Sequence, residues 1–249
     1  MDRSTKRALW VVAGVVVLIA LILHHNITSD EIIFFLVVVP SVILHEISHG
    51  WAARALGDDT AARAGRLSLN PLVHVDPVGT LIVPAVMALA GYGVFGWAKP
   101  VPVNTTRLRS PRNQAVLVSL AGPLTNLILA LIGGFVFIAV FRNTFNPYTP
   151  SVLSRVVLFF SVANIGLMAF NLIPIPPLDG SVVFERALPR RYWPGYLRIR
   201  PYTGIIVVGL VLLNVYLSGN GHVGPLSWLI GHLYNWWLGV LHVSIFRFG

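Results

Sequence analysis

The 249-residue chain contains no cysteine. That excludes disulfides, thiolate nucleophiles and thiolate metal ligands, so any bound metal must rely on histidine and carboxylate. Charge is also scarce. Only 11% of residues are charged and 55% are hydrophobic, with a mean hydropathy of +0.75, whereas a soluble domain carries about a quarter charged residues. This is the composition of a polytopic membrane protein. Acidic side chains are half as common as basic ones, nine in total: Asp2, Asp30, Glu31, Glu46, Asp58, Asp59, Asp76, Asp179 and Glu185. The net charge of +9 is not a nucleic-acid footprint, because the basic residues lie between apolar segments, where they set topology.

Those apolar segments predict an all-α polytopic protein with about six transmembrane helices, organised as one membrane-embedded domain over 1–249. Its core covers about 31–188, with flanking helices over 8–24, 202–217 and 225–246. The basic head Met1–Arg7 places the N-terminus in the cytoplasm, and the first helix reads as retained rather than as a cleaved signal. A second crossing runs over 32–56, and Arg54, Arg63 and Arg66 mark its cytoplasmic end. Pro40 within it fits either a kink or an ordinary transmembrane proline. Residues 78–90 are apolar but short for a crossing. The glycine- and proline-rich run from Gly91 to Asn104 follows, and Arg107, Arg109 and Arg112 return the chain to the cytoplasmic side. A re-entrant helix with a short edge strand over 96–103 satisfies both ends. Crossings over 114–141 and 152–173 follow, the latter ended by Pro174, Pro176 and Pro177. In the last segment, 226–246, tryptophans suit either a crossing or an interfacial position. His222, His232 and His242 recur every ten residues, share no helix face and suggest no metal site.

His45-Glu46-Ile47-Ser48-His49 reads H-E-x-x-H within the second crossing. On a helix, residues four apart share a face, so His45 and His49 can grip one zinc ion, with Glu46 beside the open position to accept a proton from water. Ionisable groups in an apolar crossing are costly, which makes function the default reading. A third ligand is then needed. Topology puts Asp179 at the same membrane side as the histidine pair. It also stands where it could cap a helix beginning at Gly180, and both roles can hold together. Glu185 is the rival ligand, deeper in the basic cytoplasmic segment. His74 and Asp76 lie among prolines and read as loop residues.

H-E-I-S-H, Gly122-Pro123-Leu124-Thr125-Asn126, and Asn171 through Pro174, Pro177, Leu178, Asp179 and Gly180 together resemble the site-2 protease family of zinc intramembrane metalloproteases. The likeness runs from about the second to the fifth crossing. It implies one Zn2+ per chain held by His45, His49 and Asp179, with Glu46 as acid/base. It further implies that Asn126 lies beside the active site and helps hold substrate or the developing oxyanion, and that Asn171 serves near substrate. Many relatives carry PDZ or CBS modules, for which this chain has no room, so it resembles the compact members.

The expected activity is hydrolysis of peptide bonds within or near transmembrane helices of membrane-protein substrates. A helix hides its carbonyls, so the substrate must unwind, and the edge through Gly96, Trp97, Lys99, Val101 and Val103 is the candidate to receive the freed backbone. The expected partners are a transmembrane substrate and the lipid bilayer, with no nucleic acid. The expected location is a bacterial cell membrane, with the active site toward the cytoplasm. Three other readings compete: a membrane-anchored zincin using Glu185, a metal-binding membrane protein or transporter, and a proteolytically dead relative.

Overall fold

A computed structural model of the chain describes residues 29–76, 79–80, 97–146 and 148–242. Three long helices form its centre. Helix α1 spans Ser29–Ala55, α3 spans Pro111–Val136 and α4 spans Val152–Asn171. Each of the three packs against the other two. The short helix α2, Thr60–Arg63, follows α1 in the chain. After α4 come α5 (Gly180–Ala187), α6 (Trp193–Ile199), α7 (Thr203–Gly219) and α8 (Pro225–Val240).

Local chemistry sets the helix ends. Helix α1 continues through Pro40 and stops at Gly57, whose φ of +113° suits a residue without Cβ. The Asp58 N–H reaches back to the Ala53 carbonyl at 2.8 Å and the Gly57 N–H to Arg54, so orphan carbonyls are satisfied as the chain leaves the helix. Helix α3 starts with Pro111 in its first turn, and the Ser110 N–H donates to Gln114 Oε1. Its far end passes Gly133-Gly134 and loosens into a π-turn over Phe137–Phe141. Ser151 caps α4 by accepting from the Ser154 N–H.

Small residues let the helices approach, and the gaps fill with apolar side chains. Ala130, Phe137, Leu158, Ile165, Trp237, Leu238 and Leu241 form the main core, which draws α8 onto α3 and α4. Ser161 donates to the Ala130 carbonyl, and the Trp237 indole donates to Ser161. A smaller cluster of Ala53, Leu108 and Val118 closes the opposite end.

Among the described residues, four helical stretches are long and apolar enough to cross a membrane: Ile32–Ala55, Pro111–Phe141, Val152–Asn171 and Trp193–Gly219. The protein is thus an integral membrane protein whose described secondary structure is all helical. The expected crossing over 226–246 takes the form of the 16-residue helix α8, about 24 Å at 1.5 Å per residue and so shorter than the bilayer core of about 30 Å. The helix expected over 8–24 and the re-entrant segment over 78–90 lie outside the described residues, apart from a helical turn at 79–80. The count of about six crossings is therefore four among the described residues. The edge strand expected over 96–103 also differs. The described residues contain no strand, and 97–104 is irregular backbone. Pro100 and Pro102 remove two ladder donors, and the neighbouring segments that hold the run are a loop and side chains.

Candidate metal centre

His45 and His49 stand one turn apart on α1 and are both buried. Asp179 arrives from the proline-rich turn after α4. Its Oδ2 lies 3.1 Å from His45 Nε2 and 3.3 Å from His49 Nε2, and the two Nε2 atoms are 3.1 Å apart. The three atoms form a nearly equilateral triangle. A tetrahedral ion bound at about 2.0–2.1 Å requires donor–donor edges of about 3.3–3.4 Å.

The chemistry of the donors fits as well as their spacing. His49 Nδ1 sits 2.7 Å from the Val118 carbonyl, which can only accept. That nitrogen therefore carries the proton, and the neutral ring presents a lone pair at Nε2. Asp179 Oδ2 is buried without a hydrogen-bond partner. Lone pairs aimed at one another from about 3 Å repel unless a cation lies among them. These three residues are the one His/Asp/Glu group suited to a metal among the described residues.

The backbone of α3 makes room for the cluster. A Cβ at Gly122 would stand 2.5 Å from His45 Cε1 and 2.5 Å from His49 Nε2, so any larger residue there would fill the donor triangle. Ser119, one turn earlier, donates to the Asp179 carbonyl at 2.6 Å. Gly180 is held equally tightly, since a Cβ would meet the Leu172 carbonyl at 2.2 Å. Asp179 stands at the N-cap position of α5, but its side chain makes no capping bond and turns toward the histidines instead.

Asn126, one turn beyond Gly122 on α3, has no exposed surface. Its Oδ1 lies 2.5 Å from His45 Nδ1 and its Nδ2 donates to Asn164. Asn171 ends α4 and donates to the Leu167 carbonyl. Glu185 is engaged elsewhere, accepting from Tyr196 and lying 3.5 Å from Arg200 Nε. His74 is a buried loop residue, with Nε2 donating to the Ser68 carbonyl at 2.8 Å. Asp76 accepts from the Gly79 N–H.

Glu46, next to His45 on α1, reaches the 97–104 run. Its Oε2 accepts from the Val101 N–H at 2.8 Å. Buried Arg66 donates to the Lys99 and Pro100 carbonyls at 2.6 and 3.2 Å. Backbone bonds join Trp97 to Gly79 and Lys99 to His74. Asp58 accepts from the Asn104 N–H at 2.6 Å and from the N–H and hydroxyl of Thr60. Burial alone would push the Asp58 carboxyl up, but these donors and nearby Arg63 hold it below the usual carboxylate range. Val101 is buried and Val103 packs on the Ala53–Leu108–Val118 cluster. Gly96 lies outside the described residues. Gly122, Asn164, Ser41, Arg66 and Asp58 were not anticipated as site residues. Of these, Gly122 alone had a signal, its place in the G-P-L-T-N run.

Two imidazoles from the H-E-x-x-H helix and a carboxylate from the turn after α4, set among apolar crossings, are the donor set of a membrane zinc metalloprotease. Comparison with known proteins agrees. The model of Peptidase family M50 matches residues 33–146. "Putative zinc metalloprotease YwhC" of Bacillus subtilis is 42% identical over 159 residues, covering 61% of this chain and 67% of that protein. "Putative zinc metalloprotease Rip2" of Mycobacterium tuberculosis H37Rv is 33% identical over 207 residues, covering 81% and 72%. No solved structure gives a significant match. The chain belongs to the M50, or site-2 protease, family of zinc metalloendopeptidases.

Proposed function

We propose that this protein hydrolyses peptide bonds within or beside the transmembrane helices of other membrane proteins. The observation that carries the reading is the position of the donor triangle. It lies between crossings, under helices whose outer faces expose Leu36, Leu124, Ile128 and Leu131, so a substrate can approach through lipid. His45, His49 and Asp179 hold the zinc, which when bound supplies Lewis acidity to the reacting carbonyl and to water.

The remaining steps belong to the chain's own residues. Glu46 accepts the proton of the attacking water and returns it to the leaving amine. The Val101 N–H, fixed on Oε2, keeps that carboxylate aimed. A substrate helix must unwind to expose a carbonyl, and 97–103 is the backbone that receives it. The Val101 carbonyl and the Val103 N–H have no hydrogen-bond partner among the described residues, and both are available for strand addition. Trp97, Lys99, Val101 and Val103 line this run, Gly96 begins the expected edge, and Asn171 is assigned to substrate contact by resemblance. Asn126, whose carbonyl faces His45, acts on the reaction through that ligand and not by touching the oxyanion. The flanking basic residues Arg54, Arg63, Arg107, Arg109 and Arg112 put this end in the cytoplasm.

The test is cleavage of a panel of single-span peptides by purified protein in liposomes, with cut sites mapped by mass spectrometry. Cuts inside or beside the apolar segment are expected, with Glu46→Gln keeping zinc but losing cleavage. Cutting confined to soluble peptides, or wild-type turnover by Glu46→Gln, would refute the reading. The zincin alternative is disfavoured by Glu185, which is committed to Tyr196 and Arg200. Replacing Glu185 should leave zinc bound, while replacing Asp179 should lose it.

A further inference from the structure

Behind His45 runs a chain of buried polar side chains whose direction is fixed from its far end. Ser41 Oγ donates to the Val37 carbonyl at 2.7 Å, so its lone pairs face Asn164. The Asn164 amide nitrogen donates to Ser41 Oγ at 2.9 Å and to the Phe160 carbonyl at 2.8 Å. Both of its N–H groups are spent there. Phe160 O can only accept, so the amide cannot be turned around without setting oxygen against oxygen. Asn164 Oδ1 must then face Asn126, where it accepts from Nδ2 at 2.8 Å. That leaves Asn126 Oδ1 facing His45 Nδ1 at 2.5 Å. Ser41, Asn126 and Asn164 have no exposed surface, so bulk water cannot stand in for a misplaced donor.

We infer that Asn164, supported by Ser41, is a positioning residue that fixes the tautomer of His45 through Asn126, so that the proton stays on Nδ1 and the Nε2 lone pair stays free for zinc. The inference rests on the zinc site proposed above and deepens it. Asn126 alone would not suffice. Its amide could rotate by half a turn and present N–H to Nδ1, moving the imidazole proton to Nε2 and closing that ligand. Asn164 forbids the rotation because it offers only an oxygen on that side. His49 needs no such chain, because a helix carbonyl meets its Nδ1 directly. The two histidines of one motif are thus held in the same tautomer by different devices, a backbone carbonyl on one side and a side-chain relay reaching from α3 to α4 and back to α1 on the other. Groups that orient metal ligands typically change metal affinity by about 10–100-fold when removed.

The test is zinc affinity measured in buffered zinc on purified full-length protein. Asn164→Leu should weaken binding by about 10–100-fold, and cleavage of transmembrane peptides should return at higher free zinc. Adding Asn126→Asp to Asn164→Leu should restore affinity, because a carboxylate only accepts and cannot rotate into the wrong state. A merely structural role predicts no such rescue. Histidine-selective 15N spectra of the unaltered zinc-loaded protein give the same answer without a variant: His45 should show a protonated Nδ1 and a zinc-bound Nε2. Zinc on His45 Nδ1, affinity in Asn164→Leu within about twofold of the unaltered protein, or absence of rescue in the double variant would overturn the relay while leaving the zinc site intact. Failure of the unaltered protein to bind zinc would overturn both.

Discussion

Two polar regions meet at His45 and Glu46, and they are built in opposite ways. Inside the crossings, polar side chains bond to one another: His45 to Asn126, Asn126 to Asn164, Asn164 to Ser41. The helices already satisfy their own backbone there, so a buried side chain must find another side chain or a helix carbonyl. At the edge, where 97–104 runs as irregular backbone, side chains bond to main chain instead. Glu46 holds the Val101 N–H, Arg66 the Lys99 and Pro100 carbonyls, and Asp58 the Asn104 N–H. The first region sets what a ligand nitrogen presents to the metal. The second sets where the 97–104 backbone lies relative to Glu46. One motif joins them, since His45 looks inward and Glu46 looks to the edge.

This contrast is broken most severely at Gly122. A methyl group there intrudes between the two imidazoles, so Gly122→Ala should lower zinc affinity by about 100-fold or more, at the upper end of what disturbing ligand orientation costs. Equilibrium dialysis against buffered zinc would show it. An edge substitution should leave zinc alone and damage catalysis. Arg66→Ala frees Lys99 and Pro100, and with them the donor to Glu46. Cleavage should fall about 10–100-fold, as small misplacements at an active site do, while zinc content by mass spectrometry stays unchanged.

A subtler division appears at Asp58, which braces the edge without facing the metal. Asp58→Asn should destabilise the protein by about 2 kcal/mol at neutral pH through lost charge-assisted bonds, read as a lower melting temperature with zinc stoichiometry preserved. The pH dependence follows from its lowered carboxyl. The carboxylate's contribution is complete above the unfolded-state value of about 3.9 and is lost as pH falls through the lower folded value. The gap between variant and unaltered protein should therefore close below about pH 3.9. The smallest effect belongs to exposed Asp59, paired with Arg63 and Arg107 at the surface. Asp59→Ala should cost about 0.5 kcal/mol or less, and added salt should erase it.

The inner region was half legible in the sequence. His45, Glu46 and His49 announce themselves because a four-residue spacing defines a helix face, and Asp179 because acids are so few. Asn164 and Ser41 carry no such mark. Neither belongs to a recognisable motif, and the partners lie 38 or 123 positions away. Gly122 stood in a recognisable run, yet only the backbone approach of α3 shows why that position must be bare. The edge was harder still. Arg66 reads as a topology marker when counted with its neighbours, and nothing local says that it reaches 33 residues ahead to Lys99. Pro100 and Pro102 marked 97–103 as non-helical, but the expected edge strand is irregular backbone, held by side chains and a loop.

The central claim is that His45, His49 and Asp179 converge on one zinc ion between membrane helices. A zinc-edge anomalous diffraction map of the purified protein tests it most directly. The account predicts a single strong peak about 2.0–2.2 Å from His45 Nε2, His49 Nε2 and an Asp179 oxygen. A peak placed elsewhere, or coordinated by Glu185 in place of Asp179, would contradict it.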